Sequence, residues 1–187
     1  MTLIFSCTKD DLYRVSSMLS LGGSVILDIG EMYIFGFARS NFKPVKAGCL
    51  TPPPILLTDD VKVMQGYTSN KLARFLLEKF IDKGLAVVDS NPAAGYEGFG
   101  LSLTNHHGFS SLMMMLKEAV IGFQIDPRVE LHDAIVQLNP DAVVMDLPEG
   151  GPKLLTTLKT SGYSLELVRE GSLKLETIEE SLKGLYS

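Results

Sequence analysis

The sequence predicts an α/β protein, a three-layer helix/sheet/helix sandwich around a mostly parallel sheet of Rossmann-like or flavodoxin-like kind, preceded by a small N-terminal α+β lobe. Three observations carry this expectation. From residue 55 onward, short β-rich runs alternate with amphipathic helical runs. Between Val61 and Asp89 a strand, a helix and another strand fit within about 30 residues, the spacing of a right-handed crossover joining parallel strands. The stretch Ser40–Pro54, with Pro44, Gly48 and the triple proline Pro52–Pro54, excludes a helix or a central strand and divides residues 1–54 from residues 55–187.

Each element has a local reason. Met1–Cys7 reads as a strand. Thr8 then caps a helix carrying Leu12, Val15, Met18 and Leu19 at helical spacing, which Gly22 and Gly23 end. Ser24–Ile29 and Met32–Ala38 are β-rich runs around a two-residue turn, the pattern of a hairpin. Val61–Gly66 reads as a strand. From about Asn70 to Lys83, Leu72, Leu76 and Phe80 share one helical face while Lys71, Arg74, Glu78 and Lys79 stay outside. Gly84 stops that helix before the apolar strand Leu85–Asp89.

Further along, Phe99–Leu103 reads as a strand, followed by an almost uniformly apolar helix over Leu112–Phe123 capped by Ser110 or Ser111. Asp126 and Pro127 open another helix, closed by Asn139 and Pro140. Ala142–Leu147 reads as a strand, Pro152–Ser161 as a helix, Tyr163–Val168 as a strand, and Leu175–Tyr186 as a final amphipathic helix.

Composition narrows the function classes. With 187 residues, 45% hydrophobic and 21% charged, the chain falls in the range of one compact domain. Seventeen basic against 22 acidic residues leave a net charge of −5, which argues against a protein that neutralises nucleic-acid phosphates. Cys7 and Cys49 lack the spacing of a zinc site or a disulfide framework and read as reduced thiols in a cytoplasmic protein. The N-terminus lacks the charged start and long apolar centre of a signal peptide. The apolar run Phe109–Leu116 falls well short of the ~20 residues of a membrane helix, so no membrane association is expected.

In open parallel sheets ligands collect beyond the carboxyl ends of the strands, where helix N-termini present free N–H groups. That rule selects Gly66, Tyr67, Thr68, Ser69 and Asn70 as an anion-binding loop. It also selects His106 or His107 as a general base in the loop after a strand, and Asp146 as a carboxylate for proton transfer or a metal partner. His106 and His107 are adjacent rather than spaced i, i+4, so they do not form a metal pair. Neither GxGxxG nor GxxxxGK[ST] occurs, so no cofactor is identified.

One local resemblance concerns Ile55–Asp60, reading ILLTDD, and Asp141–Leu147, reading DAVVMDL. These resemble the acidic-pair strand and the phosphoacceptor strand of bacterial response-regulator receiver domains. The resemblance implies Asp59 and Asp60 as Mg²⁺ ligands and Asp146 as phosphoacceptor. The interval between the segments is much longer than in that family, and no later strand carries the family's lysine.

The resulting expectation is a cytoplasmic protein that binds an anionic, phosphorylated or nucleotide-like small molecule in a crevice at the strand ends, with catalysis left open. The alternative is a non-catalytic regulatory or interaction protein that forms a homodimer through the methionine-rich Leu112–Phe123 helix.

Overall fold

The computed structural model describes residues 2–30, 32–145 and 153–183. Its first strand, β1 (Leu3–Ser6), leads into α1 (Lys9–Ser20), whose N-terminus is capped by Thr8 accepting from the Asp11 N–H. β2 (Val25–Asp28) and β3 (Tyr33–Ala38) form the expected antiparallel hairpin, and β4 (Leu50–Thr58) follows after a 3₁₀ turn at Arg39–Asn41. Then come α2 (Val61–Gln65), α3 (Lys71–Lys79), β5 (Leu85–Asp89), β6 (Gly100–Leu103), α4 (His107–Leu116) and β7 (Val120–Ile125). The chain continues through α5 (Leu131–Leu138), β8 (Ala142–Met145), the hairpin of β9 (Thr156–Ser161) and β10 (Ser164–Arg169), and α6 (Leu175–Lys183).

Among the described residues ten strands join one mixed sheet in the order β1-β8-β2-β3-β7-β4-β6-β5-β9-β10. Five of the nine strand pairings are antiparallel, so the expected mostly parallel three-layer sandwich is replaced by a single sheet of mixed direction. The source of the misreading is local. Val61–Gly66 is not a strand: Asp60 accepts a hydrogen bond from the Lys62 N–H at 2.7 Å and starts the short helix α2 there. Without that strand the supposed crossover disappears, and β5 instead runs antiparallel to its neighbour β6.

Three further expectations are corrected. The triple proline does lie in a central strand, β4, because the ladder to β7 breaks between Thr51 and Ile55 and pairing with β6 begins only at Ile55. Pro52, Pro53 and Pro54 therefore occupy a bulge where no N–H is required. Leu112–Phe123 is not one helix: α4 ends at Leu116, Lys117 takes a left-handed conformation with φ 60°, and Val120–Ile125 forms strand β7. The run Thr156–Ser161 is strand rather than helix, consistent with its three threonines, whose β-branched side chains fit a pleated surface.

Residues of the first 54 positions and of the rest interleave in the sheet, with β8 inserted between β1 and β2. The two-residue period of the strands divides the core. Ile55 and Leu57 pack with Leu12, Val15 and Leu19 of α1 and with Phe109, Leu112 and Leu116 of α4. The intervening Leu56 packs with Leu72, Leu76 and Leu77 of α3 and Ile178 of α6. A third cluster sets Phe35, Phe37 and Ile125 against Ala134 of α5. Within α4, Leu112, Met113 and Leu116 are buried in the core, and Met114 is the large apolar residue of this helix that is strongly exposed. No helix among the described residues is long and apolar enough to cross a membrane.

Candidate small-molecule site

A wholly buried glutamine organises the site. Gln124, near the end of β7, donates from Nε2 to the Lys153 carbonyl at 2.6 Å and accepts at Oε1 from the Leu155 N–H at 3.0 Å. It thereby draws the segment leading into β9 onto the sheet, beside the start of α4. A second tie comes from Asp82, which has φ 59° in the turn between α3 and β5. Its Oδ1 accepts from the Thr104 hydroxyl at 2.6 Å and from the Asn105 N–H at 2.9 Å, fixing the link from β6 to α4.

These ties enclose a cavity of about 380 Å³, lined by His106, His107, Lys153, Asp82, Thr104, Asn105 and Ser172, with the β2–β3 turn on its far side. Gly30 in that turn has φ +67°, and a Cβ there would stand 3.5 Å from Cδ2 of His106. Glycine thus serves the left-handed backbone conformation, and the imidazole packs against it at ordinary contact distance.

The N-terminus of α4 opens into this cavity. His106 occupies the N-cap position but makes no side-chain capping bond, and the N–H groups of His107, Gly108 and Phe109 have no hydrogen-bond partner among the described residues. Free N–H groups at the positive end of a ten-residue helix attract negative charge. Two imidazoles and an ammonium share the same walls.

The predicted loop Gly66–Asn70 is arranged differently. Asn70 caps α3, its Oδ1 accepting from the Leu72 N–H at 2.9 Å and the Ala73 N–H at 3.3 Å, while the Thr68 hydroxyl accepts from the Asn70 N–H at 3.0 Å and donates to Asp89. The N–H groups of Asn70, Leu72 and Ala73 are committed to these caps, and a buried carboxylate stands beside them. Gly66 is the residue that ends α2, in ordinary helical conformation with φ −73°. Ser69 and Asn70 line a separate cavity of about 250 Å³. Tyr67 turns into a third, of about 420 Å³, where its hydroxyl accepts from Arg39 at 3.2 Å; burial raises the phenol's pKa and the Arg39 charge opposes that rise.

The candidate residues are thus not gathered in one crevice. His106 and His107 share a cavity, the loop Gly66–Asn70 serves others, and Asp146 lies outside the described residues. Of the pair singled out by the receiver resemblance, Asp60 caps α2, and both it and Asp59 line the Tyr67 cavity. Among the described residues no group of three or more His, Cys, Asp or Glu side chains is placed to hold a metal. A larger recess of about 720 Å³ is walled by Phe42, Phe99, Phe123 and prolines, with Lys46 as its one charged residue, and lacks converging polar groups.

Asp82 and Lys153 escaped the sequence reading because each precedes a strand start rather than following a strand end, while Ser172 follows β10, whose end the reading did not search. Gln124 left a legible trace, a lone amide in the apolar run of β7.

Comparison with known proteins bears on the fold. No protein-family profile matches the sequence, and no curated protein matches it. Solved structures do match in shape. Sua5 from P. abyssi, complexed with L-threonine, superposes with a TM-score of 0.75 at 13% identity, over 96% of this chain and 60% of that one. YciO from E. coli gives 0.72 at 13% identity, over 95% and 99% of the two chains. Full-length HypF in its phosphate- and nucleotide-bound form gives 0.57 at 12% identity, over 86% of this chain and 29% of that one. At such identities the likeness establishes a shared fold, and the chain spans about 60% of the Sua5 structure's length.

Proposed function

We propose that this protein binds an anionic small molecule, phosphorylated or nucleotide-like, in the cavity at the head of α4. The single observation that carries the reading is the uncapped N-terminus of α4 opening into a cavity that also holds His106, His107 and Lys153. The backbone N–H of His107, which lines the cavity at the positive end of α4, meets the anionic group. Lys153 supplies a compact positive charge and the imidazoles supply directional donors. Asp82 also lines the cavity, and its Oδ1, accepting from Thr104 and Asn105, positions the loop that carries the imidazoles. Support also comes from the fold, since one protein of similar shape was solved with L-threonine and another with phosphate and nucleotide.

The test is a thermal-shift and calorimetric titration with inorganic phosphate, AMP and ATP. A ligand at a hundred times its dissociation constant adds about 2.7 kcal/mol of stability, roughly 5–10 °C in a chain of this size. The shift is expected for at least one of the three and is lost in Lys153→Ala and reduced in His107→Ala. Absence of any shift, or a shift untouched by both substitutions, overturns the proposal.

A further inference from the structure

The cavity between the start of α3 and the β9–β10 turn has the opposite character. Asp89, at the end of β5, forms part of its wall and is only 4% exposed. Its carboxylate accepts the Thr68 hydroxyl and, at 3.0 Å, the Asn91 N–H. No lysine, arginine or histidine pairs with it among the described residues. Buried carboxylates ordinarily meet a cation, since desolvating an unpaired charge is costly. Two hydrogen bonds also leave about half of the four or so acceptor positions of a carboxylate unfilled.

A second unfilled group lies one strand away. Thr160 of β9, in register with Asp89 on the parallel neighbour, lies behind the recess rather than in its wall; it is wholly buried, and its hydroxyl oxygen has no hydrogen-bond partner among the described residues. Of the remaining polar wall, Ser69 and Asn91 are neutral and offer oxygen acceptors, whereas the Asn70 Oδ1 is taken up by the Leu72 and Ala73 N–H groups. Tyr163, 76% exposed, stands at the rim with its ring available to a cation. Lys71, also at the rim, is the one cation among the lining residues.

We propose that this recess holds the terminal ammonium of a small aliphatic amine. An ammonium has three donors, matching one carboxylate and neutral oxygens. A divalent metal asks for six or more oxygen ligands, usually including several carboxylates, and the recess offers one. An anion is repelled by Asp89. The volume of about 250 Å³ suits a short alkyl chain rather than a large ligand.

The experiment is an amide-resolved NMR titration of the full chain at neutral pH with n-butylamine and with 1,4-diaminobutane, against KCl at matched ionic strength. Saturable shifts confined to Asp89, Asn91, Gly162 and Tyr163 are expected with the amines. The dissociation constant is expected to rise at least about tenfold in Asp89→Asn and about threefold in Tyr163→Ala. The tyrosine variant changes an exposed ring, so it reads the site even where the aspartate variant fails to fold. No localised shifts with either amine, the same shifts with KCl alone, or unchanged affinity in Tyr163→Ala overturns the proposal.

Discussion

The side-chain amide of Gln124 is fastened to the backbone on both sides of Leu154, through the Lys153 carbonyl at 2.6 Å and the Leu155 N–H at 3.0 Å. One buried amide thus replaces two ladder hydrogen bonds that the segment before β9 has no strand partner to supply. Gln124→Leu keeps much of the volume and leaves two backbone groups unsatisfied, each costing about 1–3 kcal/mol. The melting temperature should fall by about 2–4 °C per kcal/mol lost. Because the same bond places Lys153 at the cavity, the phosphate-dependent shift should shrink as well. A variant that melts like the parent protein would refute this role.

Gly122 of β7 faces Gly36 of β3 across an antiparallel pair, and a Cβ on Gly122 would lie 2.4 Å from the Phe35 carbonyl oxygen. That obstacle is backbone and cannot rotate aside. Gly122→Ala must separate two central strands, at a cost expected in the overpacking range of about 1–3 kcal/mol or more. Denaturant unfolding should show a lower midpoint with little change in slope. An unaltered midpoint would show that the strands part without cost.

Much of the secondary structure was legible in the sequence because local chemistry decides it: Thr8 caps α1, Gly22 with φ 91° ends it, and the β2–β3 hairpin turns at Gly30. The direction of pairing was not legible. It depends on which remote strand lies alongside, as when β4 takes β7 antiparallel on one side and β6 parallel on the other. The short helix α2 illustrates how one misread element propagates, because reading VKVMQ as a strand created a parallel crossover. For the site, His106 and His107 were visible as polar residues after a strand, whereas Asp82 and Lys153 reach the same cavity only through sheet order.

Asp126 illustrates a pH-dependent contribution. Its carboxyl is held down at about 2, chiefly by the side-chain hydrogen bonds from Arg128, with Nε 2.9 Å from Oδ1, and secondarily by the Arg128 backbone N–H. A carboxyl in the unfolded chain titrates near 3.9. The folded pKa is therefore depressed, so the stabilisation is fully present above about pH 4 and is lost as pH falls through about 2. Arg128 is largely exposed, so solvent and salt screen the effect and it should be small. In Arg128→Ala the Asp126 carboxyl should titrate higher, by NMR, and the loss of melting temperature between pH 5 and 2 should become shallower. An unchanged Asp126 titration would remove Arg128 as the cause.

Asn70 separates a capping role from a ligand-binding one. Its Oδ1 accepts from two N–H groups at the start of α3, and Leu72 and Ala73, which carry those groups, are buried by the same turn. Loss of such a cap costs about 1 kcal/mol, whereas Asn70→Asp retains the acceptor and adds negative charge beside the helix N-terminus. Asn70→Ala should therefore lower the melting temperature by a few degrees and Asn70→Asp should hold or raise it. The phosphate and nucleotide response should be the same in both variants as in the parent, because the anion is assigned to the open N-terminus of α4 and not to this closed one. If Asn70→Ala abolished that response while the protein stayed folded, the anion would belong to the Gly66–Asn70 loop, and His107 and Lys153 would lose their assigned roles.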